Sequence, residues 1–151
     1  MAFKINISEK GKAYHLELES EEIQGRKIKE KIEGKEILPA LEGYELEITG
    51  MSDKAGFPAL EKVEGVMIKK VLLSYETGMH KKAKREGKKK WSNSTPKGLK
   101  LRKKVRGNLI SPDIVQINLK VIKQGSKPLS EIFPEQNKPK EKKAEKTETS
   151  E

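Results

Sequence analysis

The class of fold follows from FKINISEKGKAYHLEL, residues 3–18. Apolar residues stand at every second position at 3, 5 and 7, and again at 14, 16 and 18. Because successive side chains of a strand point to opposite faces of a sheet, each half of the stretch predicts a strand with one apolar face. The residues between the halves are mostly polar and include Gly11, which predicts a turn. The stretch therefore predicts a β-hairpin with one buried face.

The same alternation recurs further along the chain. It predicts four more strands, at residues 44–49, 66–75, 105–110 and 114–122. The stretch 20–38 is less regular. Its Ile28 and Ile32 are four residues apart, which predicts one or two short helical turns with Ser20 as N-cap and Gly34 at the end.

About six strands and few helix candidates predict a mainly-β fold, either a barrel or a sandwich. Because there are too few helices for parallel βαβ units, we predict a small antiparallel-rich β-barrel with one or two short helices. We assign residues 1–125 to this domain. Residues 126–151 form a polar C-terminal extension, which we predict to be disordered because it cannot bury enough apolar surface.

All the net positive charge lies in one internal segment. The chain has 33 Lys and Arg, 23 Asp and Glu, and a net charge of +10. Residues 79–106, here called the basic segment, hold 13 of the bases and one acid, Glu86, so that this segment is +12 and the remainder −2. Charge concentrated in this way predicts a polyanionic partner, most simply nucleic acid. A membrane surface is a weaker alternative, and a solvated loop without a partner is a third.

The basic segment lies between two predicted strands, so we expect a long loop or extended hairpin anchored at both ends. Loops of this length are usually functional or disordered. Its cations fall into a leading and a returning group, which would run side by side in a hairpin and bind phosphates. The leading group is Lys81, Lys82, Lys84, Arg85, Lys88, Lys89 and Lys90; Lys97 follows; the returning group is Lys100, Arg102, Lys103, Lys104 and Arg106.

Two further residues are candidate RNA contacts. Trp91, the only tryptophan, lies in the basic segment, where its ring could stack on an unpaired base. The alternative is that it folds back onto the domain or contacts another protein. Lys54 lies in a predicted loop, residues 50–58, that could also touch RNA. The alternative for this loop is a turn in which Asp53 bonds its own backbone.

Several kinds of site are absent from the sequence. The chain has no cysteine, two histidines and two aspartates, and both aspartates fall in predicted turns. It contains no HExxH pair, no Walker-type phosphate loop and no GxSxG motif. We therefore predict no catalytic residue, no metal site and no cofactor. It also lacks an apolar run of about 18 residues and an N-terminal secretory signal, so no membrane-spanning segment is expected, and nucleic acid rather than a membrane is the expected partner.

Two motifs resemble a known family. The stretch ITGMSDKAGFP, residues 48–58, resembles the signature of the sixth small-subunit ribosomal protein of the archaeal and eukaryotic type. KVRGN at 104–108 and IVQINL at 114–119 resemble the second block of that family. The motif positions are Gly50, Asp53, Gly56, Phe57, Pro58, Gly107 and Asn108. The order and spacing agree from about residue 3 to residue 125, and the short chain resembles archaeal members.

Two positions depart from the family pattern. Met51 stands where the family has a second glycine, and Ala59 stands where it has a methionine after the proline. The resemblance implies a β-barrel that binds and stabilises small-subunit rRNA, located in the cytoplasm within the ribosome. It implies neighbouring ribosomal proteins as further partners, a single copy in the particle, and no catalysis.

Two other classes of function compete with this reading. One is a free-standing regulator or chromatin-type protein that binds nucleic acid non-specifically through the same segment. The other is an RNA-modifying enzyme, for which the sequence singles out no catalytic group.

Overall fold

The computed structural model describes residues 2–19, 22–80, 98–134 and 136–137. Its strands are β1 (Phe3–Glu9), β2 (Lys12–Leu18), β3 (Lys31–Glu33), β4 (Glu45–Asp53), β5 (Lys69–Leu73), β6 (Leu101–Val105) and β7 (Ile114–Lys123). Two short α-helices, α1 (Gly34–Ile37) and α2 (Leu129–Ile132), and a 3-10 helix (Pro39–Leu41) accompany them. The mainly-β class and the short helices predicted from the sequence are confirmed.

The strands form two sheets. The larger sheet has five strands in the order β2-β1-β7-β4-β3; β1 and β7 are parallel, and the other neighbours are antiparallel. The smaller sheet, here called the basic ribbon, pairs β5 with β6 antiparallel. The antiparallel-rich arrangement is therefore confirmed. Across the described ranges the two sheets do not close into a barrel, so the predicted barrel closure is not confirmed.

The predicted N-terminal hairpin is present as β1 and β2. The side chains of Phe3, Ile5 and Ile7 are fully buried, and they pack with inward-facing residues of β4 and β7. Burying each aliphatic or aromatic side chain of this size contributes roughly 1.5–3 kcal/mol. The alternation of the opening stretch therefore decides which face of the larger sheet is covered.

Strand β4 extends further than the sequence suggested. We predicted a loop from residue 50, but the strand continues through Asp53 and pairs with β7 across irregular register steps. Packing explains the extension, because Met51 is buried in the core and lies opposite Ile117. The loop of this motif begins only after Asp53.

The predicted strand at residues 105–110 was wrong. Strand β6 ends at Val105, so much of the returning half of the predicted loop is strand. The next residues bond instead to the segment after β4. Arg106 N donates to Pro58 O over 2.9 Å, and Asn108 N donates to Val63 O over 2.8 Å.

The predicted helix end at Gly34 was also wrong, since Gly34 begins α1. A Cβ added to this glycine would lie 2.2 Å from Leu41 O, so the packing of α1 against the 3-10 helix requires a residue without a side chain. The predicted N-cap, Ser20, lies outside the described residues.

The chain after residue 125 packs against the larger sheet. Leu129 is fully buried in the core, and the Tyr44 hydroxyl donates to Lys127 O. The side-chain amide of Gln136 accepts from His15 N and donates to His15 O, both over 2.7 Å, which satisfies part of the free edge of β2. Residues 138–151 of the predicted extension lie outside the described residues.

Candidate nucleic-acid interface

The basic ribbon presents one face of cations to solvent. Lys70 lies opposite Lys104, and Leu72 lies opposite Arg102; opposed residues of an antiparallel pair share a face. All four side chains are exposed, and neither strand contains an acid. Like charges directly opposite each other destabilise a strand pair. This face is therefore suited to a negatively charged partner rather than to the stability of the ribbon.

Part of the other face of the ribbon, at Leu73 and Val105, packs against the rest of the molecule. A Cβ built on Gly78 would lie 3.3 to 3.7 Å from side-chain atoms of Leu73, Pro58 and Val105, so these three side chains meet at that glycine. Met79 and Val105 are both fully buried. The basic segment therefore has a buried residue at its first position and another near its last.

Arg106 links the ribbon to the larger sheet through three internal acceptors. Its Nε lies 3.0 Å from Asp53 Oδ2, and its Nη1 lies 3.0 Å from Asp113 Oδ2 and 3.2 Å from Val66 O. The Arg106 side chain is 12% exposed and that of Asp53 only 3%. Burial alone would lower the pKa of Arg106, but hydrogen bonds to the two carboxylates raise it above its ordinary value. The guanidinium therefore stays charged while it joins β6 to the end of β4.

Asp53 also closes the motif loop that follows β4. Its Oδ1 accepts from Phe57 N over 2.8 Å, and its carbonyl accepts from Gly56 N over 3.0 Å. Gly56 has a φ of +81°, a left-handed conformation that favours glycine. The predicted bond from Asp53 to nearby backbone is confirmed. The ion pair to Arg106 was not predicted, although each partner lies in one of the two motifs.

Gly107 and Asn108 bring the second motif against the segment after β4. A Cβ on Gly107 would lie 1.8 Å from Gly65 O, so the two backbones touch where only glycine fits. Asn108 Nδ2 donates to Glu61 O over 3.2 Å. These two motif residues therefore serve the attachment of the ribbon.

The two departures from the family pattern are both buried. Met51 and Ala59 are 3% and 5% exposed, and Ala59 N donates to Met51 O over 2.9 Å. The side chain at position 51 points into the core, so it does not obstruct the motif loop. At Gly50 an added Cβ would meet open space.

The predicted cations that the structure describes lie on or beside the ribbon, with one exception. Arg102, Lys103 and Lys104 are in β6, and Lys100 immediately precedes it; all are exposed. The exception is Lys54, which is exposed in the motif loop. The predicted contacts between residues 81 and 97, Trp91 among them, lie outside the described residues.

Structure also reveals contacts that the sequence reasoning missed. Lys69 and Lys70 are exposed in β5 and extend the cationic surface beyond the basic segment. Lys104 Nζ lies 5.9 Å from the centroid of the Phe57 ring, which brings β6 beside the motif loop. The adjacent pair Lys69 and Lys70, inside the strand predicted at residues 66–75, could have indicated the exposed cations of β5.

Comparison with known proteins identifies the family. A model of the family described as ribosomal protein S6e matches residues 1–134. The chain belongs to the S6e family. S6e proteins are structural, non-enzymatic components of the ribosome, so the RNA-modifying enzyme is excluded and a structural role in the ribosome is supported.

Relatives of this S6e chain come from archaea and match over most of their length. The small ribosomal subunit protein eS6 of Methanosphaera stadtmanae is 40% identical over 138 residues, covering 89% of this chain and 95% of the relative. The eS6 proteins of Methanococcus maripaludis strain C5 and Methanothermobacter thermautotrophicus are 43% and 42% identical. These alignments cover 85% and 88% of this chain, and 94% and 96% of the relatives. The resemblance proposed from the two motifs is confirmed.

In the part of this S6e chain that the structure describes, no helix is long and apolar enough to cross a membrane. The same residues contain no group of three or more His, Cys, Asp or Glu side chains placed to hold a metal ion.

Proposed function

We propose that this S6e protein binds and stabilises small-subunit rRNA through the basic ribbon and the basic segment. The observation that carries the proposal is the segregation of charge: residues 79–106 are +12, whereas the remainder is −2. The exposed face formed by Lys70, Arg102 and Lys104 supports it, because three cations there surround a single apolar side chain. Membership of a family of small-subunit proteins favours rRNA over other polyanions.

Phosphate contacts supply the affinity in this proposal. Each cation that meets a phosphate releases condensed counterions, so binding weakens as salt rises. The ribbon contributes Lys70, Arg102 and Lys104 on one face and Lys69 and Lys103 on the other. Lys100 immediately precedes β6 and adds a further cation. The cations between residues 81 and 97, together with Lys54 and Trp91, are further proposed contacts.

Arg106 has a different role in this proposal. Its three internal acceptors and low exposure support positioning of the ribbon rather than a phosphate contact. The two carboxylates already neutralise the guanidinium. Arg106 therefore acts on RNA through the orientation of β6.

The proposal includes the surroundings of the protein. We propose a single copy in each small subunit, in the cytoplasm, with neighbouring ribosomal proteins beside the rRNA. The family relationship supports the ribosomal location.

Sedimentation of cell extracts tests the proposal. The protein should travel with the small subunit through a sucrose gradient at moderate salt, and it should leave the particle as salt rises. A variant with Lys70→Gln, Arg102→Gln and Lys104→Gln should dissociate at lower salt. A control with Lys12→Gln, Lys31→Gln and Lys35→Gln changes the net charge equally, on exposed residues of β2, β3 and α1, and should behave as wild type.

The alternative is a free-standing protein that binds nucleic acid non-specifically. The exposed cations of the ribbon would serve that function equally well. Recovery of the protein only in soluble or nucleoid fractions, at salt that leaves subunits intact, would contradict the ribosomal proposal and favour this one.

A further inference from the structure

Two exposed aromatic rings stand together where the chain leaves the basic ribbon. Tyr75 follows β5, and His80 follows a tight turn in which Met79 N donates to Glu76 O over 2.9 Å. This turn brings the two rings to a centroid distance of 5.9 Å and an interplanar angle of 84°. Tyr75 is 37% exposed, and His80 is exposed as well.

Exposed apolar side chains concentrate on the same stretch. Among the described residues, five large apolar side chains are exposed, and four of them fall between residues 67 and 75: Met67, Ile68, Leu72 and Tyr75. Lys69 and Lys70, both exposed, lie between them in sequence. Exposed apolar and cationic side chains on one short stretch mark an interaction surface with both kinds of chemistry.

A fully paired RNA helix does not match this chemistry. It presents phosphates, 2′-hydroxyls and a shallow minor groove, which offer nothing to exposed aromatic rings and aliphatic side chains. Unpaired nucleotides expose base faces that stack on Tyr and His rings while their phosphates meet cations. An edge-to-face pair occupies at most one face of one ring, so the pairing itself leaves ring faces for a base.

We infer that Tyr75 and His80 form a stacking platform for an unpaired base, and that the basic ribbon therefore binds a loop or internal bulge of RNA rather than a continuous duplex. This inference rests on the proposed function and names the kind of RNA that the ribbon takes. The exposed cations of the ribbon bind phosphates of the same RNA segment.

The full chain is tested against two RNAs of equal length, a stem with an unpaired internal loop and a fully paired stem. Wild type should bind the looped RNA more tightly. Tyr75→Leu should weaken binding to the looped RNA by about fivefold or more, the loss expected for one stacked base. Tyr75→Phe keeps the ring and should bind as wild type. Tyr75→Leu removes no charge, so the salt dependence of binding should not change.

Each other outcome overturns the inference. Equal affinity for the two RNAs, or an unchanged preference in Tyr75→Leu, rejects the stacking platform and leaves the proposed RNA binding intact. Failure of wild type to bind either RNA rejects the proposed function itself. If Tyr75→Leu keeps its RNA affinity but enters small subunits poorly, the patch docks a neighbouring protein, and the inference is wrong.

Discussion

Arg106 Nε lies 3.0 Å from Asp53 Oδ2, and this pair joins the strand that returns from the basic segment to the end of β4. The two residues are 53 positions apart in sequence, and both side chains are largely buried. The pair therefore explains why one aspartate and one arginine belong to two separate motifs. The pair is one of the contacts that attach the basic ribbon to the larger sheet.

Removal of the Asp53 charge should destabilise the fold. Asp53→Asn leaves the Arg106 guanidinium partly uncompensated, and breaking a buried pair in this way costs about 3 kcal/mol. Asp113→Asn is the matched control: its side chain is 65% exposed, and exposed pairs contribute at most about 1 kcal/mol. Denaturant unfolding of both variants gives the two free energies of unfolding. Equal losses would show that burial of Asp53 does not matter.

Replacement of Arg106 by lysine separates positioning from phosphate contact. A lysine keeps the charge but cannot reproduce the fork that reaches Asp53 and Asp113 together. We expect Arg106→Lys to weaken RNA binding by about tenfold, equivalent to about 1.4 kcal/mol. Arg102→Lys should bind nearly as wild type, because a lysine serves as a point charge for phosphate. If titration shows that Arg106→Lys binds RNA as well as wild type does, Arg106 does not orient the ribbon.

Gly107 should tolerate no side chain. A Cβ there would meet Gly65 O at 1.8 Å, and the contact is backbone on backbone, so Gly107→Ala should lower the free energy of unfolding by about 2 kcal/mol or more. Gly50→Ala is the control, since an added Cβ meets open space and its φ is not in the left-handed region. Thermal unfolding compares the two. If Gly107→Ala is as stable as Gly50→Ala, the backbones at Gly107 and Gly65 are further apart than in the structure.

The edge of β2 should open when Gln136 is shortened. Gln136 holds both backbone groups of His15, and Asn137 Nδ2 donates to Ala13 O over 2.8 Å. In Gln136→Ala the His15 amide should exchange its hydrogen about fivefold faster, corresponding to about 1 kcal/mol for a lost hydrogen bond. Gln124→Ala is the control, because that amide contacts only the Glu9 side chain among the bonds observed in the described residues. Unchanged exchange at His15 would indicate that the edge is protected in another way.

Local patterning predicted part of this fold, and long-range packing determined the rest. The alternation in β1 and β2 predicted the hairpin, because the apolar residues that recur at every second position are the ones whose side chains face the core. The course after Val105 was missed because its hydrogen bonds go to Pro58 and Val63, which no local pattern reveals. Gly34 looks like a helix end in sequence, yet its position is fixed by contact with Leu41.

The candidate interface was also predicted only in part from the sequence. Charge counting located the basic segment, since charge needs no folding to be seen. It did not show that Lys70 faces Lys104, because that depends on the pairing of β5 with β6. Nor did it distinguish Arg106 from its neighbours, because its acids at positions 53 and 113 are brought together only by the fold.

The most direct test of the central claim is the salt dependence of binding to a small-subunit rRNA fragment. The variant with Lys70→Gln, Arg102→Gln and Lys104→Gln should lose affinity, and its negative slope of log K against log salt should be less steep by about 2, from three lost phosphate contacts. The equally charged control with Lys12→Gln, Lys31→Gln and Lys35→Gln should keep the wild-type slope. Identical slopes and affinities for the two triple variants would show that the exposed cations of the basic ribbon do not contact phosphates.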